Sequence, residues 1–266
     1  MALPIRPGVL RALLKEVSVD SGKPLAVGGA RELAAVLRRE LGRGAKPGAV
    51  RSDDAPEGAA VLVYLLAHAP TPEDEAALRR SRRARVPVVA LARSAAEPIP
   101  YVLPTDVVPV GAGAGFPIEE LARTIAARLG EDAAPLAARL PVLRRAVADQ
   151  LIAGFSRKNG IVAAAVFVPG ADLPVLALNE LRLLLRLEQA YGLEIDLRER
   201  LPELAGTLAA GLGLRALARE LLDLVPGAGW AVKGAVAYAG TRALGEATVR
   251  RLSMPPRPGE ASPAGP

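Results

Sequence analysis

The sequence predicts an α/β amino-terminal domain with a parallel sheet, followed by an all-α carboxyl-terminal domain. Three observations carry this. Between about Pro24 and Gly130, short apolar runs alternate with helical stretches, and strands separated by helices of that length pair in parallel through crossovers. The runs are continuously apolar rather than alternating, as in a sheet covered on both faces. From about Ala133 onward the strand pattern gives way to helical periodicity broken by Pro and Gly.

The elements follow in order. In MALPIRPGVLRALLKEV, residues Leu10, Leu13, Leu14 and Val17 recur at helical spacing. This predicts an amphipathic surface helix within 1–19, too Pro-interrupted for a secretory signal. The α/β domain occupies 20–131. PLAVGG reads as a strand entering a turn, ARELAAVLRREL as a helix and AVLVYLLA as a buried strand. PTPEDEAALRRSRRAR is a polar helix and VPVVALA a second buried strand. DVVPV, the loop GAGAG and the helix PIEELARTIAARL complete the domain. The helical domain spans 133–253, and 254–266, MPPRPGEASPAGP, reads as a disordered tail that cannot pack.

Composition bounds the chemistry. Apolar residues make up 51% but aromatics only 3%, so Ala, Leu and Val must build the core. With no cysteine, disulfides, thiolate catalysis and Cys-based metal sites are excluded. A single histidine, His68, excludes a two-His ligand set. The formal charge of +6 permits attraction to anionic surfaces without choosing one. Only Lys15, Lys23, Lys46, Lys158 and Lys233 are lysines, so part of the arginine excess reflects composition rather than function. The uncharged stretch Asn159–Ala171 falls short of the roughly 18 apolar residues of a membrane span.

Val-Pro-Gly-Ala occurs twice, in FVPGADLPVL and LVPGAGWAVK. Proline pushes its predecessor out of the α region, and Gly170 and Gly227 can then reverse the chain. Asp172 can cap the next helix after the first copy, with Pro174 in its first turn; Gly229 serves after the second. Each copy therefore stops and restarts a helix, giving two helical hairpins. Within them, Asn179, Arg182, Arg186 and Gln189 share one arc. Ala231, Ala235, Ala239, Ala243 and Ala247 form a stripe that predicts close helix approach.

The stretches VPGADLPVLALNELRLLLRLEQAYGL and LLDLVPGAGWAVKGAVAYAGTRALGEA resemble the helical domain of unknown function 697, found beside Era-like GTPase domains and in inner-membrane proteins of the YcjF type. Pro169, Gly170, Asp172, Tyr191, Gly192, Pro226, Gly227, Trp230, Tyr238, Thr241, Arg242 and Gly245 carry the resemblance, over roughly Asp149–Leu252. DVVPVGAGAGFPIEELARTIAARL is similar to the last strand, loop and helix of an Era-like GTPase. The resemblance implies that the first half is a degenerate, P-loop GTPase-like domain.

The chemistry of such a GTPase is missing. Phosphate and magnesium binding requires GxxxxGK[ST]; the corresponding junction reads AVGGARELAAVL, where Gly28 and Gly29 survive without Lys or Ser/Thr. ARSAAE stands where an Asn-Lys-x-Asp guanine selector belongs, and Gly111-Ala112 replaces Ser-Ala. Gly28 and Gly29 remain a weak anion-site candidate, although a tight turn explains them. Asp53, Asp54 and Glu57 read as a solvated turn before a magnesium site, and His68 as a loop or core histidine before a general base. Asp172 with Arg182 or Arg242 reads as a buried structural ion pair. Arg79, Arg80, Arg82 and Arg83, with Arg85, form a basic patch on a helix, partly balanced by Glu73, Asp74 and Glu75. No aromatic residue interleaves them, which argues against nucleic acid.

The expected function is a non-catalytic binding or scaffold protein with no cofactor, no metal and no evident small-molecule substrate. Its partner would be a protein or a membrane surface, with homo-oligomerisation compatible. The expected location is cytoplasmic, peripheral at the inner membrane. Two other readings stay open: a residual nucleotide-binding switch, and a membrane protein that inserts its helical hairpins.

Overall fold

The computed structural model describes residues 22–52, 56–93, 98–111, 113, 115–165, 173–193 and 229–254. Its first half is a five-stranded sheet of β1 (Leu25–Gly29), β2 (Val50–Ser52), β3 (Val61–Leu66), β4 (Val88–Ala92) and β5 (Val107–Pro109). All neighbours are parallel, in the order β2-β1-β3-β4-β5. This is a doubly wound order, and the winding reverses between β1 and β3.

Three helices flank the sheet: α1 (Arg31–Leu41), α2 (Pro72–Arg83) and α3 (Ile118–Leu129). Successive strand residues point to opposite faces. Leu25, Val27, Val61, Val63, Leu65, Val89 and Leu91 pack on one side with Ala34 and Leu37 of α1 and with Leu121 and Ile125 of α3. Ala26, Leu62, Tyr64, Val88 and Ala90 pack on the other with Ala77 and Leu78 of α2. Burial on both faces explains why these strands read as unbroken apolar runs.

α2 begins with a complete capping box. Thr71 Oγ1 accepts from the Asp74 amide at 3.3 Å, and Asp74 Oδ2 accepts from the Thr71 amide at 2.9 Å. Pro72 occupies the first helical position, where its missing N–H costs nothing. The Tyr64 hydroxyl also donates to Asp74 Oδ1, at 2.8 Å, tying the cap to β3.

The helical half comprises α4 (Ala133–Arg139), α5 (Arg144–Ala165), α6 (Leu173–Ala190) and α7 (Gly229–Ser253). The first VPGA thus falls between α5 and α6. All four of its residues, the second VPGA, the expected helix at 1–19 and all but Met254 of the expected tail at 254–266 lie outside the described residues. The apolar cluster under the sheet runs on without a break through α4 and α5 to Leu183, Leu187 and Val249. Polar contacts follow the same path: Arg139 Nη2 donates to the Pro47 carbonyl at 3.2 Å, and the Lys46 amide donates to the Arg139 carbonyl at 2.9 Å.

α5 and α7 run antiparallel, with Gly160 against Gly234 and Ile152 against Gly245. A Cβ on Gly234 would sit 3.0 Å from the Gly160 carbonyl oxygen. This corrects the expectation from the alanine stripe. Ala231, Ala235, Ala239, Ala243 and Ala247 are all exposed, and the close approach uses Gly234, Ala237, Thr241 and Gly245 on another face of α7. Between these helices lies a buried polar cluster. Asn159 Nδ2 donates to Thr241 Oγ1 at 2.9 Å, Thr241 Oγ1 to Glu180 Oε1 at 3.2 Å, and Asn179 Nδ2 to Asn159 Oδ1 at 2.8 Å. Among the described residues, no helix is long and apolar enough to cross a membrane.

Candidate functional site

In open parallel sheets, ligands bind beyond the carboxyl ends of the strands where the winding reverses. Here that place is the β1–α1 turn beside the end of β3. Only Ala30 separates Gly29, the last residue of β1, from Arg31, the first of α1. The Ala30 amide donates to the Leu65 carbonyl at 3.0 Å. Gly29 has φ +91°, and a Cβ there would lie 2.1 Å from the same carbonyl oxygen. Gly28 is a ladder residue of β1 opposite Tyr64, and Gly29 serves a tight turn locked onto β3. A phosphate-cradling loop needs several successive amides turned toward its ligand, and one residue cannot supply them.

A hollow of about 370 Å³ lies between α1, the ends of β3 and β4 and Phe116, and none of Gly28, Gly29, Ala30 and Arg31 lines it. Leu33 and Val36 of α1, Leu65 and Leu91 from the strand ends, and Phe116 make much of its wall. Among the described residues, Glu40 and Arg93 are its only charged lining residues. A mostly apolar hollow with one charge of each sign offers little to a triphosphate and its magnesium ion.

The other sequence candidates disperse. Asp53, Asp54 and Asp172 lie outside the described residues. The Glu57 carbonyl accepts from Arg51 Nη2 at 2.7 Å, and His68 is exposed after β3. Among the described residues, no group of three His, Cys, Asp or Glu side chains is placed to hold a metal. Arg182 is partly buried on α6. Arg242 is exposed and pairs with Glu246 one turn on, at 2.8 Å. The neighbouring Tyr238 hydroxyl first, and then the Glu246 carboxylate, hold its guanidinium above the usual range. This corrects the expectation of a buried ion pair through Arg242; Asn159, Glu180, Arg186, Glu188 and Thr241 are among the polar residues buried in the helical half.

The basic patch is more organised than the sequence suggests. Arg79, Arg80, Arg82 and Arg83 are all exposed on α2. Across from them, Tyr101 stands in the left-handed region, with φ +66°. Arg79 Nε donates to the Tyr101 hydroxyl at 3.1 Å, and the Arg79 and Arg82 guanidinium carbons lie 5.8 and 5.6 Å from its ring centre. Separations of this size are within cation–π range. Sequence reasoning missed Tyr101 because it sits 22 positions from Arg79, beyond β4. Asp74 is committed to the α2 cap, and among the described residues none of the four arginines is in an ion pair.

The fold thus defines a doubly wound parallel α/β unit joined to a helical bundle. No protein-family model, curated protein or solved structure matches the chain.

Proposed function

We propose that this protein is a non-catalytic binding module: a degenerate GTPase-like α/β scaffold, fused to a helical domain resembling the domain of unknown function 697, that works through its surfaces. The bond from the Ala30 amide to the Leu65 carbonyl carries the reading. It occupies the position from which a nucleotide-binding loop would reach its phosphates. The side chains such a loop contributes, Lys and Ser/Thr, are missing from the same turn. The largely apolar hollow between α1 and the ends of β3 and β4 supports the same conclusion. The proposed setting is the cytoplasmic face of the inner membrane, reached peripherally.

Titration of the full chain with fluorescent GTP, GDP, ATP and ADP, with and without magnesium, tests the proposal. The expected result is no saturable binding. Magnesium-dependent saturation by any of the four would overturn it and favour the nucleotide-switch reading.

A further inference from the structure

The binding-module reading leaves open what is bound, and α2 supplies an answer that rests on that reading. At 3.6 residues per turn, Arg79, Arg80, Arg82 and Arg83 cover about 160° of the helix circumference, opposite the buried Ala77, Leu78 and Ser81. Two features set this arc apart from an ordinary solvated helix face. No carboxylate among the described residues forms an ion pair with it. Two of its arginines are also held in place by Tyr101, whose backbone conformation is one a non-glycine residue adopts at a cost.

The geometry decides what remains available. Arg79 spends its Nε on the Tyr101 hydroxyl, which leaves its two terminal nitrogens as a fork of donors. Such a fork matches a phosphate or carboxylate edge. The Tyr101 ring already has two guanidinium groups within cation–π range, which compete with a nucleic-acid base for it. Two residues on, Leu103 is 53% exposed, beside a Tyr101 that is itself 41% exposed. Amphipathic side chains among cations suit the interface of a bilayer, where apolar groups settle below the headgroups. A phosphodiester backbone gives an exposed leucine nothing to pack against.

We propose that the Arg79–Tyr101–Arg82 clamp, flanked by Arg80, Arg83 and Leu103, docks this protein onto the phosphate headgroups of an anionic membrane. Tyr101 acts as a positioning residue: it holds two guanidinium groups together, so that they meet the surface already oriented.

The test is sedimentation of the full chain with phosphatidylglycerol/phosphatidylcholine vesicles, and with vesicles of phosphatidylcholine alone. The expected result is binding only to the anionic vesicles, weakened by added salt. Arg79→Gln with Arg82→Gln should lower the partition coefficient by about tenfold or more. Tyr101→Gly relieves the left-handed strain and leaves the charge unchanged, yet should lower it several-fold; a purely electrostatic patch would not respond. Leu103→Ser should also reduce it. Far-UV circular dichroism and the melting transition check that each variant folds. If Tyr101→Gly does not fold, the arginine pair alone decides.

Equal binding to both vesicle types, no binding to either, or unchanged partition of the arginine variant would overturn the proposal. Displacement of the vesicles by a random oligonucleotide at lower concentration would do so too, and would point to nucleic acid. The nucleotide titration is a separate readout, so failure of vesicle docking and failure of the binding-module reading remain distinguishable.

Discussion

The amide of Ala30 donates to the carbonyl of Leu65 at 3.0 Å, stitching the residue after β1 to the end of β3. The arrangement requires Gly29, because a Cβ there would press on the same carbonyl from a backbone with φ +91°. Gly29→Ala is therefore expected to destabilise the protein by about 3 kcal/mol through strain and forced displacement of β3. Urea unfolding measures this directly. A loss below about 0.5 kcal/mol, the scale of an ordinary surface substitution, would mean that the turn is not locked.

Asp74 links the α2 cap to β3 and gives stability a pH dependence. Burial pushes its carboxyl upward, but hydrogen bonds from the Thr71 amide, the Tyr64 hydroxyl and the Thr71 hydroxyl, with attraction from His68, outweigh this. The net result is a carboxyl held below its ordinary value. A depressed carboxyl contributes stability that is present above about pH 4 and lost as the pH falls through the folded-state value. Asp74→Asn should flatten that acid limb in urea titrations run across the range. Thr71→Ala should cost about 1 kcal/mol at neutral pH. An acid limb identical to that of the parent would exclude this role for Asp74.

In the helical half, two faces of α7 should respond in opposite ways to the same substitution. Gly234 faces Gly160 across a backbone-to-backbone approach, so Gly234→Leu should cost about 2 kcal/mol or more by overpacking. Ala239 is exposed on the same helix, and Ala239→Leu should stay within about 0.5 kcal/mol. Denaturant unfolding of the pair discriminates; the reverse order would return the alanine stripe to the packing face.

Much of the α/β half was legible in the sequence because its strands are buried on both faces and read as apolar runs. The edge strand β2 was not, since Val50, Arg51 and Ser52 are too few and too polar to carry a pattern. On α7, small residues on several faces left the packing side ambiguous: alanine every fourth position looked like a seam, yet the glycines make the contact. Buried polar partners were equally hidden. Asn159 and Thr241 lie 82 positions apart, and only the antiparallel packing of α5 on α7 brings them together. For the candidate site, the missing Lys and Ser/Thr after Gly29 were plain from the sequence. The bond that closes the turn and the clamp around Tyr101 were not, because both depend on tertiary contacts.

Hydrogen exchange at the Ala30 amide tests the central claim, a β1–α1 turn sealed onto β3, most directly. The account predicts strong protection of this amide in the free protein, unchanged by excess GTP and magnesium. Rapid exchange in the free protein that slows when nucleotide and magnesium are added would contradict it, since that turn would then be an open loop closing on a phosphate.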